Sequence, residues 1–238
     1  MILPEKQITI ISGHYGTGKT EFAVNLAIRM AGSNRQTALV DLDIINPYFR
    51  SYERCRELES AGVKVYVTSN QGTMDIPALP PDIMSIFVNA GQQSLIDLGG
   101  DPVGARVLGY YRPQLEQVDF DFWFVINQRR PENATVEQIR HCLQLTEAMS
   151  GRKVTGLINN THLGRETSAE VLLQGDMFAA SVAAELNLPL IYTTVERKFA
   201  AELSGHLIGT LFPIDLYMIK PWELSEEKGG HFAWLLEK

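Results

Sequence analysis

Cysteine is nearly missing from this chain of 238 residues, which has two, Cys55 and Cys142. Two thiols are too few for a disulfide scaffold or for a four-thiolate metal site within one chain. Both read as small, buried apolar residues. No stretch approaches the ~20 apolar residues that a membrane-spanning helix needs. The opening residues, Met1 to Lys6, carry a proline and two charges and no long apolar core, so no secretory leader is expected and a cytoplasmic location is. The closing run, His231 to Lys238, reads as a short helix end docking on the body rather than a membrane anchor. Positive charge is also in deficit. The 21 Lys and Arg against 28 Asp and Glu leave a net charge of −7, which argues against a protein that grips nucleic acid through a general basic surface. Internal repeats, low-complexity tracts and linkers are lacking, and a hydrophobic content of 45% excludes a disordered, collagen-like or coiled-coil chain.

What is present is a regular alternation of short apolar runs with longer segments of helical period. Strands are expected at Gln7–Ser12, Thr37–Leu42, Val63–Thr68, Ser94–Leu98, Phe122–Ile126, Val154–Ile158 and Leu190–Thr194. Helices are expected at Lys19–Met30, Ser51–Ser60, about Asp82–Ala90, after Pro102, and at about Ala134–Met149, Ser168–Leu186 and Phe199–Leu211. Several strands are almost wholly apolar, so both faces of the sheet are covered. The expectation is an α/β protein of a single domain: a mostly parallel, doubly wound sheet of about seven strands with helices on both faces, and an irregular tail from about residue 213.

One motif dominates. Gly13-His14-Tyr15-Gly16-Thr17-Gly18-Lys19-Thr20 fits G-x-x-x-x-G-K-[ST] in full, between an expected strand and an expected helix. Glycines let successive backbone N–H groups curl round a phosphate, and the opening of the helix, Lys19 to Glu21, adds its positive dipole end. Lys19 can reach the β- and γ-phosphates, and the Thr20 hydroxyl can ligate Mg²⁺. The spacing is not G-x-G-x-x-G, so a dinucleotide is disfavoured and a nucleoside triphosphate is expected.

Three further constellations stand at strand ends, where an open parallel sheet places its ligands. In Val40-Asp41-Leu42-Asp43, a carboxylate can orient an attacking water or hold a metal-bound one, and a solvated strand end is the bland alternative. Asp97-Leu98-Gly99-Gly100 fits D-x-x-G, with Asp97 the acidic partner of Mg²⁺ and the Gly100 N–H a sensor of the γ-phosphate. Asp101 caps the helix begun at Pro102. Asn159 and Asn160 can read a purine edge with their amides or equally make turn hydrogen bonds.

Taken together, and in this order along the chain, these motifs resemble the CobQ/CobB/MinD/ParA nucleotide-binding family of SIMIBI-class P-loop ATPases. The segment Phe124-Val-Ile-Asn-Gln-Arg-Arg130 resembles the stretch after that family's central strand. The resemblance covers about Gln7 to Leu211. It implies an ATP- and Mg²⁺-dependent hydrolase whose turnover switches a homodimer or a complex with a protein partner. It further implies that Asp43 positions the attacking water, Thr20 binds Mg²⁺, and Asn159 or Asn160 reads adenine. Many members have Lys as the second residue of the phosphate loop, reaching across a dimer. Here His14 stands there, and Arg50, Arg106, Arg129 and Arg130 are candidates to replace that charge. The cysteines are not placed as in the cluster-carrying members, so a cluster-bearing reductase is not expected.

Two other functions compete with the switch. One is a small-molecule kinase or an amide- or ring-forming ligase on the same fold, which the polar, proline-rich stretch Ser69–Pro81 and the Asn46–Arg50 segment would suit as substrate loops. The other is a module that holds nucleotide without turning it over, against which Lys19, Thr20, Asp43 and Asp97 argue.

Overall fold

The computed structural model describes residues 3–42, 54–67, 81–100 and 102–218. Eight strands run in chain order: β1 (Ile8–Gly13), β2 (Gln36–Leu42), β3 (Val63–Val67), β4 (Gln92–Leu98), β5 (Phe120–Ile126), β6 (Gly156–Asn159), β7 (Leu190–Glu196) and β8 (Thr210–Ile214). They form one sheet in the order β3-β2-β4-β1-β5-β6-β7-β8, and every pairing is parallel. The helices are α1 (Lys19–Gly32), α2 (Cys55–Ser60), α3 (Ser85–Val88), α4 (Pro102–Tyr110), α5 (Arg112–Leu115), α6 (Val136–Ser150), α7 (Ala169–Leu186) and α8 (Arg197–Leu203).

The period of two along a strand sends neighbours to opposite faces and so builds two cores. Ile10, Val40, Ile96 and Phe124 join Leu108, Ile139, Leu143 and Val182 on one face, beneath α4, α6 and α7. Ile11, Leu39, Leu95 and Val125 join Phe22, Leu26 and Met30 on the other, beneath α1. The stacked Phe22, Leu26 and Met30 are all essentially buried, which is why α1 forms where the sequence predicts it.

Among the described residues the sheet has eight strands rather than about seven. The expected helix Phe199–Leu211 stops at Leu203, and Thr210–Ile214 pairs with β7 as an edge strand instead. Leu211 and Pro213 sit in that strand, and its Pro213 is compatible with an edge position. The apolar residues of 207–212 fit either period, and only pairing with β7 decides between them. α8 is therefore about half its expected length, and the chain after 213 is not an irregular tail at its start. The expected helix at about Asp82–Ala90 is one 3₁₀ turn, Pro81–Met84, followed by the short α3.

β1 lies at the centre, between β4 and β5, although β2 follows it in sequence. The connections leave β1 toward one edge and return through β5 toward the other, so a crevice opens at its carboxyl end, where ligands bind in open α/β sheets. The glycine loop occupies that position.

Candidate nucleotide site

The loop between β1 and α1 closes on itself. Thr17 donates to the His14 carbonyl from both its backbone N–H (3.3 Å) and its hydroxyl (2.8 Å), and the Lys19 ammonium donates to the same oxygen at 3.3 Å. Lys19 is 6% exposed, so its charge lies inside the loop rather than in solvent. Gly18 precedes α1 with φ +83°, and a Cβ there would collide with the Asn160 amide. Only glycine fits.

The carboxyl ends of β2 and β4 bring two acids to the same crevice. Asp41 and Asp97 are register partners, and Asp97 also pairs with Ile11 of β1. Both are buried, at 2% and 1% exposure. Leu39 and Leu95, two residues earlier on each strand, lie in the α1-side core. The period of two puts Asp41 and Asp97 on that same face, toward the start of α1. Gly100 completes the contact: a Cβ at that position would stand 2.6 Å from the Lys19 Nζ and 2.9 Å from the Tyr15 N. The D-x-x-G turn is thus pressed directly against the phosphate loop. Asp43, Arg50, the Asn46–Arg50 segment, residues 69–80 of the Ser69–Pro81 stretch, Asp101 and the His231–Lys238 run lie outside the described residues.

Both asparagines at the end of β6 are engaged with the protein. Asn160 donates its amide to the Thr17 carbonyl at 2.7 Å and accepts from the Thr194 hydroxyl at 2.5 Å, which ties the phosphate loop to the ends of β6 and β7. Asn159 accepts from the Thr161 N–H (3.1 Å) and hydroxyl (2.7 Å), a turn arrangement, and is 1% exposed. Asn160 lines the cavity beside the loop, whereas Asn159 does not. Asn127, which follows β5, is fully buried, and its side-chain amide oxygen Oδ1 accepts from the N–H groups of Arg129 (3.0 Å) and His162 (3.4 Å).

The candidate cations separate clearly. Arg106 contacts the Met149 sulfur and Arg129 donates to Gln174, both away from the loop. Arg130 donates its Nε to the Gly16 carbonyl at 2.7 Å and lines the cavity, with no carboxylate partner among the described residues. His14 is half-buried, its Nδ1 3.1 Å from the Tyr15 carbonyl, and Tyr15 is 59% exposed.

Beside the loop lies a cavity of about 420 Å³, within the usual range for a small-ligand site. Its lining includes Gly16, Gly18, Lys19 and Thr20 of the loop, and a second group, Thr194 and Glu196 from β7 with Leu216 and Met218 from the chain after β8. Sequence reading missed this second group, because nothing local marks residues whose partner is the phosphate loop nearly two hundred positions away. The Glu21 side chain turns from the loop to that same chain, accepting from the N–H groups of Tyr217 (2.8 Å) and Met218 (3.0 Å). Burial pushes its carboxyl up, against the pull of those hydrogen bonds. Among the described residues no cluster of three or more His, Cys, Asp or Glu is placed to hold a metal ion, and no helix is long and apolar enough to cross a membrane. Cys55 and Cys142 are free thiols on α2 and α6, and burial raises both.

No protein-family model matches the chain, and no curated protein matches its sequence. Solved structures do match in fold. The signal recognition particle receptor FtsY from Elizabethkingia anophelis, in complex with GDP, superposes with a TM-score of 0.51 at 14% identity, over 80% of this chain and 58% of that one. FtsY from Thermotoga maritima gives 0.50 at 17% identity over 80% and 62%. Chloroplast FtsY from Physcomitrella patens gives 0.50 at 15% over 79% and 57%. The chain spans less than two thirds of the length of each. The fold is that of an α/β P-loop nucleoside triphosphatase, as the phosphate-loop motif predicts.

Proposed function

We propose that this chain is a Mg²⁺-dependent ATP-binding protein that hydrolyses the β–γ phosphoanhydride and works as a nucleotide-driven switch on a protein partner or a second copy of itself, as the resemblance to MinD and ParA implies. The observation that carries the reading is the meeting of Gly100 with Lys19, which joins the D-x-x-G turn to the phosphate loop in one site.

The chemistry rests on the residues assembled. The backbone N–H groups of residues 16–20 and the Lys19 ammonium neutralise the β- and γ-phosphates, and the Gly100 N–H senses the γ-phosphate. The Thr20 hydroxyl and the buried Asp97 carboxylate are hard oxygen donors at the start of α1 and the end of β4, a set that suits Mg²⁺ with phosphates and water completing its shell. A bound Mg²⁺ would offset negative charge on the triphosphate there. Asp43, in the role the resemblance implies, orients the attacking water; the water's oxygen bonds to the γ-phosphorus as the bond to the β–γ bridging oxygen breaks, and its proton leaves with the phosphate, giving ADP and phosphate.

Adenine is favoured over guanine because Thr161, His162 and Leu163 follow Asn160, so the carboxylate of an Asn-Lys-x-Asp guanine reader has no counterpart. The GDP bound to one structural neighbour favours the opposite choice. Of the two asparagines Asn160 is assigned to the base, because it lines the cavity and Asn159 does not. Arg130, beside Gly16, is the cation that takes the place of the missing second lysine, and it does so within the same chain.

Phosphate release from ATP and from GTP with Mg²⁺, over a range of protein concentrations, tests the reading. ATP turnover rising more than in proportion to protein is expected of a dimerising switch. Turnover appearing only with an added acceptor would move the assignment to the kinase or ligase. Lys19→Ala should abolish triphosphate binding, and unchanged affinity would remove the site itself.

A further inference from the structure

The chain leaving β8 runs back along α1 toward the phosphate loop, held by three successive turns of that helix. Arg29 donates to the Pro213 carbonyl at 3.0 Å. Asn25 and Asp215 bond reciprocally: the Asn25 amide donates to the Asp215 carbonyl at 2.9 Å and accepts from the Asp215 N–H at 2.8 Å. Glu21 accepts from Tyr217 and Met218. The spacing fits because four helical residues rise about 6.0 Å and two extended residues about 6.6 Å, so rungs at 29, 25 and 21 keep step with 213, 215 and 217. The last rung is the residue after Thr20, in the first turn of the helix that receives the phosphates.

Alternation then decides what each residue of this segment faces. Tyr217 packs on the α1-side core, and the Asp215 carboxylate pairs with Arg197. Ile214, Leu216 and Met218 line the cavity. Leu216 is 50% exposed although apolar, at a place where an apolar side chain gains only if something covers it. Thr167, Thr194 and Glu196, which carry two hydroxyls and a carboxylate, line the same cavity, together with Gly16, Gly18 and Lys19 of the phosphate loop. A cavity lined by loop glycines and a lysine, by the apolar Ile214, Leu216 and Met218, and by hydroxyl- and carboxylate-bearing side chains fits a flat, polar-edged ring attached to phosphates.

Resting on the nucleotide reading above, we propose that residues 213–218 form a strap that supplies the apolar wall against which the nucleobase packs, and that the Glu21-Asn25-Arg29 ladder couples base binding to the seating of the strap on α1. A ligand that covers Leu216 and Met218 favours the seated strap. By reciprocity, a loosened strap weakens the nucleoside part of the ligand while leaving the phosphate part alone.

The test is calorimetric titration of the full chain with ATP, GTP and inorganic tripolyphosphate, each with Mg²⁺, alongside amide hydrogen exchange. The Leu216→Ala/Met218→Ala double variant should bind its preferred nucleotide about tenfold more weakly, a loss of the size expected for uncovering part of two apolar side chains, with tripolyphosphate affinity held within about twofold. Asn25→Ala, which removes the middle rung and touches no ligand, should give the same split. In the unsubstituted chain, nucleotide should slow exchange at Asp215, Tyr217 and Met218 more than tripolyphosphate does, a readout that needs no variant to fold. The inference is overturned if the variants lose nucleotide and tripolyphosphate together, if they lose neither, or if exchange in the strap ignores the nucleoside. An unsubstituted chain that binds none of the three ligands overturns the nucleotide reading itself, and that failure is visible before any variant is made.

Discussion

Gly100 and Lys19 stand so close that a single methyl group on the glycine would lie 2.6 Å from the lysine nitrogen. They are far apart in sequence and meet because β4 lies beside β1 in the sheet. Gly100→Ala should therefore displace the Lys19 ammonium and press on the Tyr15 backbone, whose Cα and N would lie 2.8 and 2.9 Å from the new methyl group and can yield only if the loop moves. Triphosphate affinity is expected to fall by about tenfold or more, equivalent to ~1.4 kcal/mol, while the thermal midpoint shifts by only a few degrees. Calorimetric titration with a melting curve checks both, and full affinity in a well-folded variant would separate the D-x-x-G turn from the site.

Asn160 invites a test that separates its two roles. Its amide holds the Thr17 carbonyl at 2.7 Å, so removing it leaves that carbonyl without this donor, at a cost of about 1–3 kcal/mol. If Asn160 acts by holding the loop, Asn160→Ala should weaken tripolyphosphate as well as ATP. Loss of ATP alone would assign the amide to the base.

Phe22 anchors α1 on the sheet. It is fully buried, with ring centroids 5.3 Å from Phe212, 6.2 Å from Tyr192 and 6.4 Å from Trp123. Phe22→Ala should cost about 3–5 kcal/mol in denaturant unfolding, as for other buried aromatics. A cost below ~1 kcal/mol would mean that α1 is held by its contacts at the loop and strap rather than by this core.

Tyr192, in the same cluster, carries a pH signature. Burial pushes its phenol from 10.0 up to about 12. The folded state thus favours the neutral ring, so its contribution is fully present below pH 10 and is lost as the pH rises through about 12. Phenolate absorbance during alkaline titration should show a late-titrating tyrosine that vanishes in Tyr192→Phe. Tyr111, raised to about 12 by its own burial, should remain late in that variant.

The glycine loop was legible in the sequence because its demands are local. Phosphate binding needs positive-φ backbone and a helix opening within eight consecutive residues, and nothing beyond those residues alters that need. The alternation of strand and helix was legible for a similar reason, since burial on both faces writes largely apolar runs into β1 and β5. β8 was not, because a short apolar run suits either period and its pairing with β7 is a non-local event.

The sequence by itself determined which residues the phosphate loop contains and that acids and amides stand at strand ends. Only the tertiary structure decided which of them meet. Strand order put Asp97 and Gly100 beside the loop, turned Asn160 onto the Thr17 carbonyl, separated Arg130 from Arg106 and Arg129, and laid residues 213–218 along α1. Such contacts join positions separated by tens to nearly two hundred residues. They arise from packing two apolar faces around one sheet, which no short window of sequence encodes.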